Sequence, residues 1–128
     1  MKKMTLTVAL SICANLWDWL ADHPTEKKDA WPGWETVVAD YGQPRLYCPC
    51  CHYVMQERVL EGRMLDCSGG VCPMASTWGP ITSIDFGCEQ PGSPYHKWHT
   101  VELDSPWRAY YARVIRDAAI ALLKPEEA

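Results

Sequence analysis

From Arg45 to Pro94 the chain is dense in cysteine, glycine and proline and has no long periodic apolar segment. Such a stretch cannot bury enough surface to offset the entropy of ordering it, so something must hold it in place. Two cysteine pairs lie within it. Cys48-Pro49-Cys50-Cys51 has the Cys-x2-Cys spacing of a zinc knuckle, and Cys67-Ser68-Gly69-Gly70-Val71-Cys72 adds a second pair with four residues between. Two sulfurs on each of two tight turns can meet at tetrahedral corners ~2.3 Å from one Zn2+. Gly69 and Gly70 free the backbone to turn amide groups toward the thiolates. The spacing predicts a structural zinc ion held by Cys48, Cys51, Cys67 and Cys72, inside a zinc-binding segment 45–90. Four thiolates leave no coordination position for water, so this metal supports the fold and performs no chemistry.

Other donors stand nearby. Cys88 follows Cys72 by the same interval that separates Cys67 from Cys51, in the tight segment Gly87-Cys88, and can replace Cys67. Cys50 and His52 are further alternatives, although neighbours of a knuckle usually point away from the metal. His96 and His99, three apart, can reach a common metal if they lie on a helix, but the ordinary reading is a pair of surface or hydrogen-bonded histidines. Cys13 falls among apolar residues and reads as a small buried side chain.

A length of 128 residues fits a single domain, 1–128, short enough for a metal to matter to its stability. Seven Trp against one Phe predict a thin core made of a few large side chains. The formal charge of −4 opposes a chain that wraps nucleic acid, because neutralising phosphates takes clustered Lys and Arg. No apolar run approaches the ~20 residues of a membrane span.

The N-terminus needs a decision, since Met1-Lys2-Lys3 before an apolar run has the form of a secretory leader. Thr7, Ser11, Asn15, Asp18 and Asp22 recur at steps of three and four, opposite Leu6, Leu10, Cys13, Trp17 and Leu20. That pattern predicts an amphipathic helix over 4–22. Seven cysteines, an odd number, also suit a reduced compartment better than a disulfide framework, so the expected location is the cytoplasm.

The fold expected is a small α-rich single domain, with α+β as the alternative. Helices are predicted near 4–22, 33–40, 95–103 and 105–123, around the irregular zinc-stapled segment. Pro24 and Gly42-Gln43-Pro44 are stops. Ser105 before Pro106 is a strong start signal, and Trp107, Tyr110, Tyr111, Val114, Ala118, Ala121 and Leu122 are expected to form the buried face of the last helix. Trp31 and Trp34 are expected side by side as core anchors. Tyr53–Leu60 is read as a short helix or hairpin arm, and Ile81–Phe86 as a short strand.

No reaction can be read. Cys48-x2-Cys51 also has the form of a redox Cys-x-x-Cys, but nothing before Tyr47 reads as the strand of a βαβ unit. The His-x-Glu with Pro-Cys-x-x-Cys of a zinc deaminase is not matched, and no phosphate loop, nucleophile elbow or His-Glu-x-x-His occurs.

Several short motifs, in order, resemble a set of small cysteine-rich proteins of tailed bacteriophages and prophages. They are Trp17-Asp18-Trp19-Leu20-Ala21, Trp31-Pro32-Gly33-Trp34-Glu35, Cys48-x2-Cys51, Cys72-Pro73, and Gly87-Cys88 followed by Ser93-Pro94-Tyr95-x2-Trp98. They span most of residues 16–115. In that set the second knuckle looks like Cys-x2-Cys-Pro, whereas Cys67 and Cys72 are four residues apart here. The resemblance implies a phage accessory protein in the host bacterial cytoplasm, acting against a host defence system. The expected function is thus a non-enzymatic, zinc-stabilised interaction protein that binds a host protein through exposed aromatic residues. The alternatives are a nucleic-acid-binding zinc module using Arg108, Arg113 and Arg116 with Arg45 and Lys97, and a thiol enzyme at Cys48 and Cys51.

Overall fold

The Thr5 hydroxyl accepts a hydrogen bond from the Val8 N–H at 3.2 Å, and from this cap helix α1 runs Leu6–Asp22. The computed structural model describes residues 2–44, 47–58, 73–74, 77, 88 and 92–123, with the backbone alone at 55, 57 and 58. After α1 comes a 3-10 turn, Lys28–Ala30, then α2 (Trp34–Tyr41), α3 (Pro49–Arg58), α4 (Pro94–Thr100) and α5 (Pro106–Leu123). Helix dominates and no strand occurs among the described residues. The Ile81–Phe86 strand and most of the segment 45–90 lie outside them.

Helix α1 is the centre of the molecule. It packs along α5 and, over a smaller area, against α3, while α4 packs on α5. The predicted polar stripe is open to solvent at Thr7, Asn15, Asp18 and Asp22. Opposite it, burial extends beyond the expected stripe to Ala9, Ile12, Ala14, Leu16 and Ala21, because neighbours cover α1 on more than one side. Each fully buried Leu of this kind, such as Leu16 and Leu20, contributes roughly 1.5–3 kcal/mol. Leu6 is a correction: it was expected in the core and is 41% exposed, since it begins the helix beyond the reach of those neighbours. Cys13 sits in the core as expected, with its Sγ 3.3 Å from the Met74 Sδ.

Local chemistry sets the helix ends. Gly42 closes α2 at φ 89°, in the left-handed region that favours glycine, with its N–H donating to the Val38 carbonyl at 2.9 Å. Ser93 caps α4 by accepting from the His96 N–H at 3.1 Å, and Pro94 takes the first turn. That helix ends at Thr100, short of the expected 103, because Val101 returns to extended backbone. Ser105 caps α5 by accepting from the Trp107 N–H at 3.2 Å.

The buried face of α5 differs from the expected one. Arg108, Ala112, Ile115 and Ala119 point inward; of the expected face, Tyr111, Val114 and Ala118 are half-buried, while Trp107, Tyr110, Ala121 and Leu122 are exposed. The two apolar sets lie on adjacent faces of one helix, and shape decides between them. Ala112 and Ala119 present no bulk, which lets α5 lie close against α1.

The core between α1 and α4 is aromatic, as the tryptophan count predicts. Trp17 meets Trp98 edge-on at 4.8 Å between ring centroids and Tyr95 at 6.0 Å. Trp31 and Trp34 are adjacent as expected, at 5.1 Å and 85°. The Trp34 indole N–H donates to the Lys28 carbonyl at 2.6 Å, fixing the 3-10 turn against α2.

Candidate metal centre

Tyr47 holds φ 51°, a left-handed conformation that costs a non-glycine residue energy. It brings Cys48 to the start of α3. There the Cys51 N–H donates to the Cys48 Sγ at 3.3 Å, so sulfur caps the helix as a serine oxygen would, with Pro49 at the first position. An amide turned onto a sulfur is the outer support expected of a metal-binding knuckle. The same geometry also lowers the cost of a thiolate, since the positive end of the helix dipole faces it.

The cation beside this sulfur is Lys28, the first residue of the 3-10 turn. Burial alone would push its ammonium down, but Tyr95, Cys48 and Cys88 together pull harder and the net direction is up. The Lys28 Nζ also lies 4.6 Å from the Tyr95 ring centroid. Cys48 and Cys88 are therefore electrostatic neighbours of one ammonium although forty positions apart. Ser93 helps to place Cys88: its buried hydroxyl caps α4 and donates to the Cys88 carbonyl. Nothing in the cysteine spacing signals Lys28 or Tyr95. They join the site because the 3-10 turn and α4 converge.

Of the four predicted ligands, Cys48 and Cys51 are here, and Cys67 and Cys72 lie outside the described residues. The alternative donor Cys88 shares the neighbourhood of Cys48. Cys50 belongs to the buried core cluster, in agreement with a knuckle neighbour that points away. His52 is half-buried and burial pushes its imidazole pKa down, which favours the neutral form. Among the described residues no three His, Cys, Asp or Glu side chains gather around one point. The chemistry of the donor set nevertheless suits zinc, with a thiolate-favouring helix start, an amide on sulfur and a second cysteine near at hand. His96 and His99 face each other edge-on at 5.2 Å on α4.

The basic residues considered for nucleic acid are dispersed. Arg108 is buried, donating to the Trp98 carbonyl of α4, and is not open to a phosphate backbone. Arg116 pairs with Asp117 at 3.0 Å and with Asp18 of α1 at 2.9 Å. Arg113 and Lys97 are exposed, and Arg45 lies outside the described residues. Among the described residues no helix is long and apolar enough to cross a membrane. No family model, curated protein or solved structure matches this chain.

Proposed function

We propose that the protein is a non-enzymatic, zinc-stabilised interaction module that binds a host protein in the bacterial cytoplasm. The observation that carries this reading is Cys48 capping α3 with the Cys51 N–H on its sulfur, a knuckle start that leaves the remaining coordination to Cys51, Cys67 and Cys72, or to Cys88 in place of Cys67. Zinc at that point would fasten the cysteine-bearing segment 45–90 to the helical body. The partner-binding face in this reading is the start of α5, where Trp107 is 57% exposed and Tyr110 is 47% exposed. Their rings meet edge-on at 5.5 Å, a rigid pair of the kind that anchors protein interfaces.

A second reading has a specific observation behind it. A cysteine at a helix start beside a half-buried lysine is also how a reactive thiol is built, so a thiol enzyme at Cys48 remains the rival. Elemental analysis of reduced protein separates the two. The proposal expects one equivalent of zinc, lost in Cys48→Ser, together with capture of one bacterial protein that Trp107→Ala and Tyr110→Ala abolish. Metal-free folded protein whose Cys48 alkylates rapidly near neutral pH would replace the proposal with its rival.

A further inference from the structure

Helix α4 carries His96 and His99 three residues apart, the spacing that makes two side chains neighbours on a helix. Their ring centroids are 5.2 Å apart, with the planes at 80°. His96 is half-buried and His99 is exposed, so both can be reached from solvent. The backbone beneath them is held at both ends. The Ser93 hydroxyl accepts from the His96 N–H at 3.1 Å, and the Thr100 hydroxyl donates to the His96 carbonyl at 2.7 Å. Trp98, 3% exposed, fixes the rotation of the helix by meeting Trp17 edge-on at 4.8 Å. The two imidazoles therefore stand on a rigid base, which lowers the cost of ordering them around a ligand.

The spacing of the rings fits a shared metal. An imidazole bound through nitrogen at about 2.0–2.1 Å has its centre about 3 Å from the ion, so two rings at a tetrahedral angle stand about 5 Å apart. Turning a histidine ring about its Cβ–Cγ bond redirects its nitrogens and hardly moves its centre, and that torsion is soft. The separation of the centres is thus set by the helix, while the angle between the planes is free to adjust. The ammonium between the two histidines in sequence is drawn to another helix: the Lys97 Nζ lies 5.7 Å from the ring centroid of Tyr111 on α5. No third His, Cys, Asp or Glu gathers with the pair among the described residues, so water completes the coordination. Neutral imidazole suits the borderline divalent ions, zinc, copper and nickel, better than calcium or magnesium.

We infer that His96 and His99 form a two-imidazole binding site for a divalent transition-metal ion. The site shares no ligand with the cysteine segment, and the inference stands whether or not zinc binds there. To test it, the full chain labelled with 15N-histidine is titrated with Zn2+ in the presence of a phosphine reductant, and the imidazole signals are followed by NMR. Those of His96 and His99 are expected to shift together and saturate. The signal of His23, an exposed imidazole with its Nδ1 2.9 Å from the Trp19 carbonyl oxygen, is expected to stay in place. His99→Gln should weaken the response of His96 about tenfold or more, and His96→Gln that of His99, because a chelate that loses one donor loses the advantage of the pair. Both variants should keep the circular dichroism spectrum of the parent, and if one fails to fold the other decides. A pair that is only a ring contact gives the opposite results. No saturable shift up to about 1 mM Zn2+, or a His96 response untouched by His99→Gln, would overturn the assignment.

Discussion

The guanidinium of Arg108 lies 3.9 Å from the centroid of the Trp98 ring while donating at 2.8 Å to the carbonyl oxygen of the same residue. One side chain from α5 thus grips α4 by ring and backbone together. With its bond to Glu26 it also holds the segment that follows α1. Arg108→Met keeps much of the volume but leaves two carbonyls without their donor. A loss of about 2–4 kcal/mol is expected in chemical denaturation, since stranded buried acceptors lose their partners at full desolvation cost. A change below about 0.5 kcal/mol would show that the grip contributes nothing.

Gln56 fastens the N-terminal segment to α3. Its Oε1 accepts from the Met4 N–H at 3.0 Å and its amide nitrogen donates to the Met4 carbonyl, while the Met4 side chain is wholly buried. Gln56→Leu removes both bonds, and a destabilisation of about 1–3 kcal/mol is expected. Hydrogen exchange at the Met4 amide is the specific readout. Gln56→Glu keeps the acceptor and loses the donor, so its protection factor should fall between the other two.

Ala112 and Ala119 are fully buried on the inner face of α5. Leucine at either position would force α5 away from its neighbours, at a cost of about 1–3 kcal/mol. Ala121 is exposed, and Ala121→Leu is expected to change stability by less than about 0.5 kcal/mol. Thermal melts of the three variants test which face is inward, and equal losses at 112 and 121 would refute the orientation described here.

Chelation provides a test of the metal that does not depend on a partner. If zinc staples the cysteine segment, excess chelator under reducing conditions should lower the melting temperature and expose the segment to protease, because metal affinity and folding free energy are coupled. Cys48→Ser should melt like the chelated wild type and no longer respond to chelator. Cys13→Ser, a core substitution beside Met74, should keep the response.

The elements that were legible in sequence are those fixed within three or four residues. Thr5 and Ser105 each cap their helix through a bond to a nearby amide, and Pro24 and Gly42 stop theirs by backbone geometry. Such contacts need no knowledge of the rest of the chain, which is why the 4–22 and 105–123 readings fall within two residues of α1 and α5. The end of α4 was missed because no comparable stop signal follows His99. The sequence reading starts this element late, at Tyr53, and leaves it a short helix or hairpin arm, because a cysteine cap before Pro49 looks in sequence only like a metal knuckle.

The sequence by itself determined an α-rich chain with an aromatic core, a capped start to the last helix and a cysteine pair of knuckle spacing. Only the tertiary structure decided which face of α5 turns inward, because two apolar faces of similar pattern compete and the smaller residues win where α1 must come close. It also decided that Arg108 is a buried tie rather than a surface charge, and that Lys28 and Tyr95 stand beside Cys48. A side chain's charge is written in the sequence. Its surroundings depend on segments tens of residues away, and spacing along the chain holds no record of them.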